Sequence, residues 1–316
     1  MLPIAVDAMG GDRAPGEIIA GARQAADDLG VGVLLVGRPD AIEAAGGPQG
    51  LEILAASEVI DMHDDPAQGV RRKKDSSLVR AAEAVRDGKA SAMISAGNTG
   101  ATMASALLRM GRIKGVQRPA IATPIPHPGH HPTVLLDAGA NAECTAQYLV
   151  QFAQMGSVYA ARRYGIERPR VALLSIGEED TKGTPLVKET HALLKETPGL
   201  DFIGNVEGRD LIGDVADVVV TDGFTGNVAL KTLEGALKFL VGAIAAVLPA
   251  DSLTPLLPLA ADMDPDNTGG AVLLGVDGVC IISHGSSSAR AIVNAVRVAR
   301  EMVEADLVAD LGDAVT

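Results

Sequence analysis

The sequence is poor in aromatic residues and in positive charge. Aromatics make up 2% of the 316 residues and Trp is absent. The core must therefore be aliphatic, and the aromatic platforms on which RNA-binding modules stack bases have almost no material. The net charge of −13 opposes a uniform attraction to nucleic acid or to an anionic bilayer. These deficits predict no nucleic-acid partner and leave recognition of other partners to local patches.

Cysteine, signal-like segments and long apolar runs are also scarce. The two cysteines, Cys144 and Cys280, have no CxxC spacing, which favours a reducing compartment. The first residues lack the basic region of a secretory signal, and no run approaches the roughly 18 apolar residues that span a bilayer. The histidines at 127, 130 and 131 fit no common zinc spacing. We expect a cytoplasmic protein without metal or organic cofactor.

Short apolar runs alternate with helical patterns along the whole chain. Such alternation predicts an α/β fold, a three-layer α/β/α sandwich around a mainly parallel sheet, formed by one domain over residues 1–316. Apolar residues at helical spacing predict one helix after Pro15, one after Ser76 and one that leads up to Glu304. Residues 38–50 are interpreted as a loop with a short helix. The strands are expected at 3–7, 32–37, 91–95, 133–137, 170–175, 201–205, 216–221 and 277–283.

The segment 236–260 is too apolar for a free loop. Residues 236–248 are helical in composition, and three prolines then break a stretch that still carries Leu253, Leu256 and Leu257. Two interpretations stay open: burial against the sheet or a dimer partner, and a protruding segment that contacts membrane or an acyl chain.

Three predicted strands run into turns rich in Gly, Ser, Thr and Asn before a helix, at 95–100, 222–227 and 284–288. Turns of this kind suit phosphate at a helix N-terminus. Each one singly is more typical of ordinary capping, whereas three at the same edge of a sheet favour an anion-binding cleft. None matches the P-loop, the dinucleotide fingerprint or the GxSxG elbow.

A fourth turn, 175–184, contains Lys182 beside Glu178 and Glu179. Lysine is a point charge suited to phosphate, and it can equally neutralise these carboxylates. We expect Lys182 and the carboxylates to be coupled.

The basic run Arg71, Arg72, Lys73 and Lys74 precedes a helix capped by Asp75 or Ser76. In an acidic chain this run is a candidate site for an acidic partner or a polyphosphate, with a solvated surface as the alternative.

Seven motifs follow one another along the chain: DAMGGD at 7–12, SAGNTG at 95–100, LLDAGAN at 135–141, IGEE with KG at 176–183, GNVEGRD at 204–210, DGFTGN at 222–227 and HGSS at 284–287. Together they resemble the PlsX family of bacterial phosphate acyltransferases of phospholipid synthesis. The resemblance implies transfer of a long acyl chain from acyl carrier protein (ACP) to inorganic phosphate. The acyl phosphate then serves a membrane glycerol-3-phosphate acyltransferase. A homodimer with peripheral membrane contact is also implied, with a fold similar to isocitrate and isopropylmalate dehydrogenases and to phosphate acetyltransferase.

The resemblance also implies site residues. Lys182 and Asn227 match catalytic positions, and residues of two turns match the phosphate cradle: Asn98, Thr99, Gly100, His284, Gly285 and Ser286. Two positions depart from the family's pattern, because Thr184 replaces a common Asn and Ile282–Ser283 replace a segment that carries Lys in several relatives. ACP is acidic, so it would dock on residues 71–74, or on a second basic cluster formed by Arg109, Arg112, Lys114 and Arg118.

Two competing interpretations remain. A phosphate acetyltransferase would use coenzyme A and short acyl groups, which the apolar segment 236–260 disfavours. The second interpretation, a membrane scaffold without activity, does not explain the turns that suit phosphate binding.

Overall fold

The computed structural model describes residues 1–127, 129–249, 253–254, 261 and 264–315. The chain divides into two compact units, unit 1 (Met1–Pro119 with Thr268–Thr316) and unit 2 (Ala120–Asn267). The expectation of a single domain stays a prediction, and each unit is described by itself.

The strands are short and mostly buried. They are β1 (Ile4–Asp7), β2 (Val33–Gly37), β3 (Glu52–Ala55), β4 (Ala92–Ser95), β5 (Ala120–Ile125), β6 (Thr133–Leu136), β7 (Arg170–Leu174), β8 (Asp201–Val206), β9 (Val218–Val220), β10 (Ala271–Leu274) and β11 (Val279–Ile282).

The helices mostly follow strands. They are α1 (Gly16–Leu29), α2 (Pro39–Ala44), α3 (Pro66–Arg72), α4 (Ser77–Arg86), α5 (Thr99–Ser105) with a π-helical turn (Ala106–Met110), α6 (Ala146–Tyr164), α7 (Pro185–Glu196), a 3-10 helix (Gly208–Ile212), α8 (Gly223–Val247), α9 (Pro265–Thr268), α10 (Ala289–Glu304) and α11 (Leu307–Val315).

Unit 1 is built on strands in the order β3-β2-β1-β4-β11-β10, parallel except for β10 against β11. The β1-to-β2 and β3-to-β4 connections run in opposite directions across the sheet. Right-handed crossovers therefore place α1 on one face and α4 on the other. α1 packs with α10, while α4 packs with α5 and the π-helical turn. The carboxyl ends of β1, β4 and β11 consequently lie at one edge, with three of the quoted motifs.

Unit 2 has strands in the order β5-β6-β9-β7-β8, parallel except for β5 against β6. α6 and α7 pack together against the strands. Elsewhere α8 packs Ala229, Leu230 and Leu233 onto a buried aliphatic cluster that includes Leu135 and Val219. The carboxyl ends of β6, β7 and β9 lie at one edge, followed by the segments 137–141, 175–184 and 221–227.

All eight strands expected from the sequence are present, and the predicted helices after Pro15, Ser76 and before Glu304 are confirmed. Three strands were missed. β3 lies at the end of its sheet with exposed residues, β5 contains Pro124, and β10 follows a Gly-Gly pair. Each lacks the apolar run or the clean flanks on which the sequence signal depends.

Candidate active site

Lys182 lies in the turn between β7 and α7, and its side chain is exposed. Within the described ranges its ammonium group takes part in no ion pair or side-chain hydrogen bond. Glu178 instead lies 3.8 Å from the guanidinium of Arg209. Contrary to the coupling expected from the sequence, no ion pair among the described residues joins Lys182 to Glu178 or Glu179, and Glu178 faces Arg209 on the 3-10 helix. The charge of Lys182 is left available to an anion.

The turn that carries Lys182 is held at several points. Gly183 has φ +93, a conformation that L side chains rarely adopt, so the residue after Lys182 must be glycine. Thr184 then caps α7 by accepting a hydrogen bond from the Val187 N–H at 3.3 Å. The buried Asn205 of β8 donates its amide to the Glu179 carbonyl at 2.9 Å. These contacts fix the backbone around an otherwise free lysine side chain.

Asn227 lies at the beginning of the second turn of α8, whose N-cap Asp222 accepts from the Thr225 N–H at 2.9 Å. Its exposed side chain lies against Gly139, and no residue described in the structure hydrogen bonds to its amide. At the neighbouring Gly226, a Cβ atom would stand 2.0 Å from the Asp137 carbonyl oxygen. Only glycine lets the start of α8 approach the turn after β6 this closely.

Asp137 organises that turn. Its Oδ1 accepts from the N–H groups of Ile121, Gly139 and Ala140 at 2.9–3.1 Å. Its Oδ2 accepts from the Asn141 backbone at 2.7 Å and from the Asn141 side chain at 2.9 Å. Burial raises the pKa of Asp137, and the hydrogen bonds from Ala140, Ile121 and Asn141, which favour the carboxylate, oppose the rise. The carboxylate is the centre of the 137–141 segment.

A second buried carboxylate, Asp7, stands at the end of β1 in unit 1. It accepts from the Ser95 hydroxyl at 2.7 Å, and Ser95 in turn accepts from the Gly97 N–H at 3.0 Å. Burial raises the pKa of Asp7. The network connects the motif after β1 to the motif after β4.

Asn98 is a predicted phosphate ligand whose side chain is already engaged. Its Oδ1 caps α5 by accepting from the Ala101 N–H at 3.0 Å. Its Nδ2 donates to the carbonyls of Met62 and Asp64 at 3.0 and 3.2 Å, which uses both hydrogens. The capping interpretation thus holds for this side chain. Thr99 is exposed beside it, and Gly100 lies against Pro66.

The remaining predicted phosphate residues form the turn between β11 and α10. His284 and Ser286 are exposed, and the imidazole Nδ1 lies 2.8 Å from the Ser286 hydroxyl. The Gly285 carbonyl accepts from the Asp12 N–H at 2.8 Å, which joins this turn to the one after β1. Ser288 caps α10 by accepting from the Ala291 N–H. Unit 1 thereby brings the 7–12, 95–100 and 284–288 motifs into hydrogen-bonded contact.

The basic run at 71–74 is divided. Lys73 donates to Asp64 at 2.6 Å and to the Val59 carbonyl at 2.7 Å, so its charge serves the fold. Arg71, Arg72 and Lys74 are exposed and have no partner among the described residues. In the second basic cluster, Arg109 pairs with Glu83 at 3.8 Å and Arg112 donates to the Gln117 carbonyl.

Beyond its first turns, α8 carries large apolar side chains in contact with solvent. Phe239 is 77% exposed, Leu240 53% and Val247 78%. Leu253 is half-buried, and Leu256 and Leu257 lie outside the described residues. No helix in the described ranges has the length and apolar character needed to cross a membrane.

Other reactive groups lie away from these turns. Burial raises the pKa of the Cys280 thiol to about 12, so this cysteine is inert at neutral pH.

A cavity of about 700 Å³ in unit 2 is lined by Thr133 and Arg170, at the amino ends of β6 and β7, and by His130 and His131. None of the predicted catalytic residues lines it. Among the described residues, no group of three or more His, Cys, Asp or Glu side chains is arranged to hold a metal ion.

Asp7 and Asp137 belong to the motifs at 7–12 and 135–141, and the sequence alone predicts no role for either. The signal that could have found them is an acidic residue at the carboxyl end of a buried apolar strand, before a glycine-containing turn. A carboxylate in that position is positioned to collect the N–H groups of the turn.

The Fatty acid synthesis protein family matches residues 2–310. A phosphate acyltransferase of Heliobacterium modesticaldum is 52% identical over 97% of this chain and 95% of its own. One from Desulfitobacterium hafniense (strain Y51) is 49% identical over 98% of this chain and 96% of its own.

Solved structures share the fold at low identity. A phosphotransacetylase from Streptococcus pyogenes superposes with a TM-score of 0.67 at 18% identity, covering 96% of this chain and 94% of that one. A 4-hydroxythreonine-4-phosphate dehydrogenase from Klebsiella pneumoniae superposes with a TM-score of 0.54 at 14% identity, covering 96% and 100%. These likenesses confirm the predicted fold class. With the match over residues 2–310 and curated relatives near 50% identity, the chain belongs to the phosphate acyltransferase family.

Proposed function

We propose that this protein transfers a long acyl chain from ACP to inorganic phosphate, giving an acyl phosphate for phospholipid synthesis. Acyl transfer to phosphate accords with the family to which the chain belongs. The observation that carries the proposal to particular residues is Lys182, an exposed and unpaired cation on a fixed turn in unit 2. A cation in that state is suited to a phosphate dianion.

Phosphate is the nucleophile in this reaction. One of its oxygens forms a bond to the thioester carbonyl carbon, and the C–S bond then breaks to release the ACP thiol. Since a thiol has a pKa near 8.5, its thiolate leaves without a strong general acid. Lys182 would hold the phosphate charge, and proximity alone supplies several kcal/mol of rate enhancement in such reactions.

Asn227 is proposed as a hydrogen-bond donor to the phosphate or to the thioester oxygen, because its exposed amide is unengaged. A donor aimed at a developing oxyanion lowers the barrier more than it strengthens substrate binding. The turns at 98–100 and 284–286 in unit 1 are proposed to bind phosphate. For Asn98 the contribution would be placement of the turn, since its side-chain amide is used.

The proposal is tested by measuring release of free ACP from palmitoyl-ACP with and without inorganic phosphate. We expect release only with phosphate, and formation of palmitoyl phosphate in equal amount. Acetyl-coenzyme A as donor separates this activity from that of a phosphate acetyltransferase. Equal or faster turnover of acetyl-coenzyme A would favour the short-chain reaction, and no turnover of either donor by folded protein would reject the enzyme.

ACP docking is proposed at Arg71, Arg72 and Lys74, whose charges are unpaired. Changing Arg71 and Arg72 together to Glu is expected to raise KM for palmitoyl-ACP about tenfold at low salt, with less effect at high salt, because steering charges are screened. The same change at Arg112 and Lys114 tests the second cluster in a matched way. Unchanged kinetics in either pair removes that cluster from the docking model.

Peripheral contact with the inner face of the membrane is proposed for the far end of α8 and the segment 236–260. A helix turn with Phe239 and Leu240 more than half exposed is a strong candidate for insertion among lipids or for pairing in a homodimer. We expect Phe239→Glu with Leu240→Glu to abolish sedimentation with liposomes while ACP release in solution persists. Retained liposome binding, with size-exclusion elution shifted to a monomer, would assign the helix to the dimer instead. The membrane glycerol-3-phosphate acyltransferase is the proposed consumer of the product.

A further inference from the structure

We infer that His284 acts as a neutral hydrogen-bond donor through Nε2–H to an oxyanion, and that Ser286 is the positioning residue that sets this state. The inference deepens the proposed function and rests on it. The oxyanion is either that of inorganic phosphate or the one that develops on the thioester carbonyl. The inference follows from the hydrogen bonds around one ring nitrogen, Nδ1 of His284.

The position of Nδ1 settles which nitrogen of the neutral ring carries the proton. The backbone N–H of Ser286 points to Nδ1 at 3.2 Å, and an N–H group can only donate. Nδ1 must therefore accept, so the single proton of the neutral imidazole lies on Nε2. Protonating Nδ1 would turn two N–H groups toward each other. The same contact thus disfavours the charged ring.

The Ser286 hydroxyl strengthens this arrangement. Its Oγ lies 2.8 Å from Nδ1, and with the ring proton on Nε2 the hydroxyl is the donor in this contact. A serine two residues after the histidine therefore supplies both a backbone and a side-chain donor to one side of the ring. The opposite side, with Nε2, has no partner among the described residues and is exposed. The one free donor of the ring faces solvent.

The backbone beneath the ring is held in place. The His284 carbonyl accepts from the Ser287 hydroxyl at 2.6 Å and from the Ser287 N–H at 3.0 Å. The next carbonyl, that of Gly285, accepts from the Asp12 N–H at 2.8 Å. A donor fixed before the ligand arrives costs little reorganisation when charge develops on an oxygen.

Charged groups on the surrounding segments also act on the ring. The Asp12 carboxylate lies beside Gly285. The other ionisable groups on segments that meet this turn are Arg13, Glu17, Asp61, His63, Asp64 and Arg290. The tautomer of His284 is thus a specific claim that nitrogen-15 NMR can refute.

Variants separate the donor from other roles. His284→Ala is expected to lower kcat/KM for ACP release about 10²-fold, the usual cost of one oxyanion donor. His284→Gln keeps an N–H donor and is expected to retain activity within about tenfold of wild type. His131→Gln, at an exposed histidine of unit 2, is the matched control and should behave as wild type. Equal loss in the Ala and Gln variants would overturn the donor role.

Ser286→Ala keeps the backbone N–H and removes only the hydroxyl. We expect a loss of about threefold to tenfold and a larger share of the Nδ1-protonated tautomer, since one of the two contacts that make Nδ1 an acceptor is gone. Complete loss of turnover in Ser286→Ala, together with an acyl ester found on Ser286 of the wild-type protein by mass spectrometry, would make Ser286 a nucleophile and overturn the positioning role.

Nitrogen-15 NMR of the full chain labelled at histidine reads the state without any turnover. The His284 signal is identified by its absence in His284→Gln. At pH 7.5 we expect an unprotonated Nδ1 and a protonated Nε2, and adding inorganic phosphate alone should shift Nε2 if phosphate is the acceptor. A tautomer protonated at Nδ1, or a charged ring, refutes the inference.

The two proposals fail in different ways. The expected tautomer and phosphate shift, without turnover of palmitoyl-ACP, would reject the proposed function and leave the donor assignment standing. The expected tautomer without a phosphate shift, but with loss of kcat in His284→Ala, assigns the donor to the thioester oxyanion. Full activity in His284→Ala overturns the inference alone.

Discussion

Replacing Lys182 with alanine is expected to lower phosphate-dependent release of ACP about 10²- to 10³-fold, the range seen when a charge-stabilising donor is removed. The side chain has no structural partner among the described residues, so its loss should leave folding unchanged. The KM for phosphate should rise as well, because the cation attracts the dianion in the ground state. The measurement is initial rate against phosphate concentration.

Lys188 offers a matched control for that experiment. It is an exposed lysine of the same unit, on α7, and none of the described residues pairs with it. Lys188→Ala should therefore retain wild-type kinetics. Lys182→Arg keeps the charge on a planar group of different reach and should recover part of the lost rate. If Lys182→Ala behaves like Lys188→Ala, the phosphate charge is held elsewhere.

Replacing Asp137 with alanine is expected to destabilise the protein by about 3 to 5 kcal/mol, because five N–H groups, four in the turn after β6 and one on β5, lose their acceptor at a buried side chain. Activity should fall with it, since Asn227 lies against Gly139 of the same turn. The urea midpoint of unfolding and the initial rate are the two readouts.

Asp137→Asn distinguishes lost volume from lost acceptors. The side chain keeps its size, but its Nδ2 group would face N–H donors, so we expect a destabilisation similar in size. Asp277→Ala, at an exposed carboxylate with only a backbone hydrogen bond in the described structure, is the control and should move the midpoint little. A wild-type midpoint in Asp137→Asn would show that the carboxylate charge is dispensable.

The parallel framework was predictable because it depends on local patterns. The apolar runs of β4, β6 and β11 are fully buried and end at turn residues, which is what a parallel sheet covered by helices requires. β5 could not be found in this way. Pro124 weakens its signal, and its place is set by antiparallel pairing with β6, which the sequence does not announce.

The site was predictable as a set of turns and less so as a set of free and occupied side chains. Lys182 and Lys73 look alike in sequence, since each has carboxylates nearby. In space Lys73 reaches Asp64, nine residues earlier, while Lys182 stands free because Glu178 faces Arg209. Asn98 and Asn227 differ in the same manner. Which polar group is already satisfied depends on tertiary contacts.

The unbroken helix α8 fixes the distance between Asn227 and the apolar residues at the far end of the helix. The helix runs unbroken over 25 residues, with Asn227 at the beginning of its second turn and Val247 at its end. At 1.5 Å per residue the helix places these two residues about 30 Å apart along its axis. Inserting or deleting a single residue between them would change this spacing by about 1.5 Å and rotate one end by about 100°. The length of α8 thus sets the distance between Asn227 and the apolar end. That length can change while the apolar end keeps its direction around the helix axis only in steps of about seven residues, or two turns.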